Sequence, residues 1–158
     1  MDQKIIRIGG ASGFWGDSRL GAVQLVQVEP AIDYLVFDYL AETTMAILAA
    51  ARLKKPELGY ATDFVDSAMK SVLADVMAKG IKVIANAGGI HPEGCAQALR
   101  AMAQGMGLNP RIAVVTGDDV SALLPDLRAQ GVTDMFSGAP LPDKILSANA
   151  YLGAWPIV

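Results

Sequence analysis

The 158-residue sequence contains one cysteine, Cys95, and one histidine, His91. A lone cysteine excludes an internal disulfide framework and suits a reducing compartment. Charged residues make up only 18% of the chain and the net charge is −3. The basic residues are scattered, so no stripe of Lys and Arg exists to track a phosphate backbone, and nucleic acid is not an expected partner. No apolar run approaches the roughly 18 to 20 residues of a spanning helix, and "MDQKIIRIGG" at the start lacks the long apolar segment and cleavage site of a leader. These absences predict a cytoplasmic protein without a membrane partner. Solenoid repeats and low-complexity segments are missing as well.

What is abundant is apolar surface. Hydrophobic residues reach 53% and mean hydropathy is +0.36, high for a soluble chain. Such a chain buries both faces of a sheet or buries surface against a partner. Runs rich in Ile and Val alternate with longer stretches of helical period, the pattern of successive βαβ units. The predicted strands are 4–8, 34–38, 82–85, 112–116 and, more weakly, 133–136. The expected fold is α/β: one domain over 1–158, with a doubly wound, mostly parallel, Rossmann-like sheet of about five strands and helices on both faces.

The predicted helices cover 42–53, 63–79, 92–106 and 119–130. The second carries Val65, Met69, Val72, Leu73 and Val76 at steps of three and four, with Asp66–Lys70 and Asp75–Lys79 as i,i+4 pairs. Asp63 can cap its start and Gly80 close its end; Gly107 and Gly131 are the corresponding stops of the last two. The final "ILSANAYLGAWPIV" is apolar and resembles the opening of another helix, which predicts docking on a partner or a chain cut short.

Ligands of open parallel sheets bind beyond the carboxyl ends of the strands, where loops diverge and helix N-termini offer free N–H groups. Four loops qualify. In the first, Gly9, Gly10, Ser12 and Gly13 let backbone approach a ligand, or simply turn into a helix capped by Asp17 or Ser18. It is neither G-x-G-x-x-G nor a Walker A loop, and Glu29, near the spacing of a ribose-binding acid, precedes Pro30 instead of ending a strand. In the second, Asp38 and Glu42 stand four apart in a strongly apolar context. Neighbouring carboxylates drive their pKa values apart, which suits an acid and base pair; the alternative is a cap and a dipole-compensating charge. The fourth offers Asp118 and Asp119, one of them a helix cap and the other a polar contact; two aspartates alone are not a metal motif, and no metal site is expected.

The third loop, "NAGGIHPEG", brings Asn86, Gly88, Gly89 and His91 to the rim. Pro92 fits the first helical position and places His91 at the cap, where the helix N-terminus favours the neutral imidazole. His91 is either a base or donor at the site or a solvated loop residue. Cys95 lies on the stripe Cys95, Ala98, Leu99, Met102, Met106, which faces a core, so it reads as a small buried apolar group. Trp15 and Trp155 sit in loop and tail positions where ring surface suits a ligand or partner.

The segments "IRIGGASGFWGDS", "YLVFDYLAETTMAILAAAR", "VIANAGGIHPEGCAQAL" and "VVTGDDV" resemble the amino-terminal domain of the acyclic terpene utilisation protein AtuA family. The closing "LSANAYLGAWPIV" is similar to an interior stretch of that domain. The resemblance implies the front portion of a longer family domain and a role in bacterial breakdown of citronellol- and geraniol-type compounds through acyl-CoA intermediates. By analogy it implies hydratase or lyase chemistry on an acyl-CoA or branched carboxylate. Its cofactor is unknown. By their place at the strand ends, and not through the resemblance, His91, Asp38 and Glu42 are the catalytic candidates and Gly9, Gly10, Ser12, Gly13, Asn86, Gly88, Gly89 and Asp118 the substrate-binding ones. A homo-oligomer or partner subunit joined through the apolar tail is the expected assembly, and a non-catalytic binding or assembly subunit is the competing function.

Overall fold

In the computed structural model, which describes residues 5–158, three strands run parallel in the order β1 (Ile8–Ser12), β2 (Tyr34–Phe37) and β3 (Lys82–Ala85). The register sets Ile8 beside Tyr34 and Tyr34 beside Lys82, and slips between Gly10 and Ser12, where Ala11 is the extra residue of a bulge. The α/β class stands, but the five-strand sheet does not. The expected 34–38 and 82–85 strands form almost as drawn. The first lies later than expected, because Gly9 and Gly10 belong to the strand and not to a loop; Lys4 of that expectation lies outside the described residues.

A glycine inside a strand normally marks close packing. Gly9 fits this, since a Cβ there would stand 3.0 Å from Ile32 and 3.1 Å from Leu25.

The helices are α1 (Gly21–Leu25), α2 (Glu42–Lys54), α3 (Lys70–Lys79), α4 (Pro92–Gly105) and α5 (Leu124–Ala129). A π-helical segment, Phe64–Met69, leads into α3, and a 3-10 turn, Ser121–Leu123, leads into α5. The apolar stripe Val65, Met69, Val72, Leu73 and Val76 is buried throughout. It packs with Ala22 of α1 and Val26 just after it, Cys95, Leu99 and Ala103 of α4, and Leu35 and Phe37 of β2 in one core. Only one sheet face is covered this way. Strand side chains alternate between faces, and Ile8, Tyr34, Val36, Lys82 and Ile84 on the other face are exposed or half-buried. The expectation of helices on both faces is therefore corrected for the described residues.

Local details follow the chemistry unevenly. Gly80 closes α3 at φ 67°, and Pro92 opens α4 with His91 at the cap position. Gly107 and Gly131 also take left-handed conformations just after helices. The Asp75–Lys79 pair is not made: Asp75 accepts from Gln27 Nε2 at 3.0 Å, and Lys79 donates to the Val26 carbonyl. Both side chains thus tie α3 to the segment that directly follows α1.

The chain divides into two compact units, 1–114 and 115–158. In the second, Pro125 interrupts the expected 119–130 helix into a 3-10 turn and a six-residue α-helix, since proline lacks an N–H and disfavours helix in the residue before it. The 112–116 segment forms no ladder, and the 133–136 strand reduces to a single bridge between Thr133 and Pro140. The reason for the latter is local. Asp134 Oδ1 accepts from the Phe136 N–H, the Ser137 N–H and the Ser137 hydroxyl, a turn that competes with extended pairing. Those bonds to Ser137 hold the Asp134 pKa below its ordinary value. The closing 145–158 segment, expected to begin a helix, has bends and turns, with Asn149 bridged to Asp119.

Candidate active-site cleft

At the carboxyl ends of β2 and β3, the Asn86 amide holds two neighbours at once. Its Nδ2 donates to Asp38 Oδ1 at 2.7 Å, and its Oδ1 accepts from the Tyr39 N–H at 2.7 Å. Asn86 and Asp38 therefore fix the backbone at Tyr39. The Tyr39 ring is only 3% exposed and meets Phe37 and Phe64 edge to face, with centroids 5.8 and 6.1 Å away.

The phenol is pushed up to about 12 by burial and by the nearby Asp63 carboxylate, partly offset by a hydrogen bond with Ser12. Tyr39 is therefore neutral at any physiological pH and keeps an O–H that can donate.

A cleft of about 330 Å³ opens beside it, lined by Gly16, Ser18, Arg19, Tyr39, Asp63 and Ser67. Asp63 was expected to cap a helix; its carboxylate instead accepts from Trp15 Nε1 at 2.5 Å. The bond joins the loop after β1 to the first turn of the long helix and leaves Asp63 Oδ2 as a further acceptor. The π-helical segment starts directly after Asp63 and carries Ser67 to the cleft. Such segments are rare and recur at functional sites. Ser18 Oγ accepts from the Leu20 and Gly21 N–H groups at the approach to α1, so its own O–H is available to donate.

A protein-family model, "Acyclic terpene utilisation family protein AtuA", matches residues 6–158. The chain belongs to the AtuA family. Membership places it among proteins of acyclic terpene utilisation. No curated protein and no solved structure matches it.

Within this AtuA-family chain, the residues singled out in the sequence fall into separate settings. Ser12, Asp38 and Asn86 meet around Tyr39. Glu42 is exposed in the first turn of α2. His91 is turned toward the loop between α2 and the π-helical segment: its Nδ1 lies 3.1 Å from the Leu58 carbonyl. A carbonyl only accepts, so Nδ1 is the donor in this contact. The ring lies between Gly59 and Gly94, where added Cβ atoms would meet His91 atoms at 3.1 and 2.6 Å.

The glycines of "NAGGIHPEG" have steric work of their own. A Cβ on Gly88 would sit 2.8 Å from Pro92, and one on Gly89, at φ +52°, would sit 2.3 Å from Leu48. Gly10 lies on the uncovered sheet face with nothing within 4 Å of an added Cβ, while the Gly13 N–H donates to Asp17 Oδ2 at 2.8 Å. Asp118 belongs to the second unit, where its Oδ2 accepts from Asn149 Nδ2 at 2.9 Å. Cys95 is buried and its thiol is pushed up to about 11 by burial, the behaviour of a packing group.

The sequence reading missed Tyr39, Asp63, Arg19 and Ser67. One signal was available: Tyr39 follows a strand-end aspartate at the rim where ligands bind.

Proposed function

We propose that the chain is a hydratase- or lyase-type enzyme of acyclic terpene utilisation, acting on a branched carboxylate or its acyl-CoA thioester in the Tyr39 cleft. The observation that carries this reading is the neutral, buried Tyr39 phenol clamped beside a carboxylate. In dehydration, Asp63 removes the proton α to the carbonyl and the electron pair passes to the carbonyl oxygen; that pair then returns to form the Cα=Cβ bond as the Cβ–O bond breaks, and the leaving hydroxyl takes the proton back from Asp63 and departs as water. Tyr39 supplies the hydrogen bond to the developing oxyanion, and Asp63 is the proton acceptor. Asp38 and Asn86 act as positioning residues for Tyr39. His91, held on Leu58, positions the loop that precedes the π-helical segment.

Tyr39→Phe keeps the ring and removes the donor. Turnover of a branched enoyl-CoA or the matching free acid should fall about 10²- to 10³-fold while the fold, followed by circular dichroism, is kept. Undiminished turnover in both Tyr39→Phe and Asp63→Asn would remove this reading. His91→Gln separates it from a mechanism with His91 as base, since a positioning role leaves the pH profile of turnover unmoved.

The second reading, a non-catalytic subunit, rests on the apolar side chains that the second unit leaves exposed, including Phe136, Tyr151 and Trp155 at 89%, 90% and 87%. Surface of that kind fits association with another chain or a second copy. Light scattering of the purified chain, alone and with co-expressed neighbours, tests it; a monomer with full turnover excludes it.

A further inference from the structure

Five of the six residues lining the cleft bear no positive charge; the sixth is Arg19. Among the described residues no acceptor engages its guanidinium and no ion pair joins it to Asp63. A planar guanidinium presents parallel N–H groups that match a carboxylate, and one standing uncompensated at a cleft is suited to bring such a group in. We infer that Arg19 anchors a free carboxylate in the cleft, and that the ligand class is a small hydroxy-monocarboxylate, its hydroxyl directed to Asp63 and its carbonyl end to Arg19 and Tyr39.

Three further features select that class. The volume, about 330 Å³, stands at the lower end of ligand pockets and falls far short of enclosing the nucleotide-bearing arm of a CoA thioester. Asp63 Oδ1 is occupied by the Trp15 N–H, so the remaining oxygen suits one hydroxyl donor. A single ligand charge neutralises Arg19, whereas a second carboxylate would face Asp63. The hydroxyls of Ser18 and Ser67 complete a polar lining around the buried phenol. This inference rests on the cleft being the substrate pocket, and it narrows that reading from acyl thioester or acid to the acid.

Trp15 is bonded to a cleft residue and reports binding directly. The full chain carrying Trp155→Phe, which removes the other, exposed tryptophan, is titrated with 3-hydroxy-3-methylbutanoate, its methyl ester and the dicarboxylate 3-hydroxy-3-methylglutarate while Trp15 fluorescence is followed. The monocarboxylate should saturate, with the ester and the dicarboxylate each at least tenfold weaker. Arg19→Gln in the same background should weaken the acid at least tenfold and leave the ester unchanged. Equal binding of acid and ester, tighter binding of the dicarboxylate, or an Arg19→Gln variant that binds the acid undiminished would overturn the inference. Failure of this test with a positive Tyr39→Phe turnover result removes the carboxylate anchor alone. Saturable, Arg19-dependent binding without turnover upholds the anchor and removes the catalytic reading.

Discussion

The two units of this chain use apolar residues in opposite ways. Among the described residues, every buried apolar side chain lies between Ala11 and Ala103, and none of 115–158 is buried. Yet the second unit is not poor in such residues: Leu123, Val132, Met135, Phe136, Leu146, Leu152 and Ile157 are all exposed there. The difference lies in spacing and partners. In 1–114 the apolar residues recur at helical steps or alternate along paired strands, so one face can close on another. In 115–158 they are divided by Pro125, Pro140, Pro142 and left-handed Gly131, Gly138 and Gly153, and the two helical pieces span only three and six residues. Hydrophobic content without periodicity does not assemble a core.

Core truncation is the most severe challenge to that contrast. Leu35 is fully buried in the central strand, and Leu35→Ala should cost about 2–5 kcal/mol in urea unfolding. Phe136→Ala, in the second unit, should stay within about 0.5 kcal/mol. Comparable losses at the two positions would mean that the second unit hides a core of its own against something else.

A milder pair uses backbone instead of burial. Gly89 and Gly138 both have positive φ, at 52° and 69°, but a Cβ on Gly89 meets Leu48 and the Gly59 carbonyl, while one on Gly138 meets nothing within 4 Å. Gly138→Ala should cost about 1–2 kcal/mol, the left-handed penalty alone, and Gly89→Ala about 2–4 kcal/mol because packing strain adds to it. Thermal unfolding of the two variants side by side reads the difference.

The smallest expected effect is titrational. Tyr39 has an ordinary pKa of 10.0 and a folded value of about 12. Below pH 10 the phenol is neutral folded or unfolded and stability is unaffected. Between pH 10 and about 12 the unfolded chain loses this proton first, so stability falls as pH rises. Tyr60 shifts in the same direction, through burial first, so Tyr39→Phe should lessen that fall without abolishing it. Chemical denaturation at pH 9 and pH 11 measures it, and an identical fall in Tyr39→Phe would show the phenol to be solvated.

Helices were the legible part of this fold. The 65–76 stripe and the Pro92 start depend only on neighbours three and four residues away and on proline's fixed φ, so composition and order suffice to place them. The first strand was misplaced because Gly9 and Gly10 read as a loop, while the Leu25 and Ile32 side chains that crowd Gly9 are brought there by the chain's path and not by any local pattern. The site divides the same way. Asn86 and Asp38 were recognisable as rim residues because Asp38 ends one predicted strand and Asn86 directly follows another. Trp15 and Asp63, 48 residues apart, carry no pattern that pairs them.

By itself the sequence determined the α/β class, the core-facing stripe of 65–76 and that of α4 as far as Met102, though not Met106, which is exposed, together with the family and the rim on which polar groups gather, all consequences of local periodicity, turn chemistry or motif. Only the tertiary structure decided that the sheet of the described residues has three strands, that His91 turns to Leu58, and that Tyr39, Asp63 and Arg19 share one cleft. Those outcomes depend on which distant surfaces meet, and burial, hydrogen-bond partners and charge environment exist only once they have met.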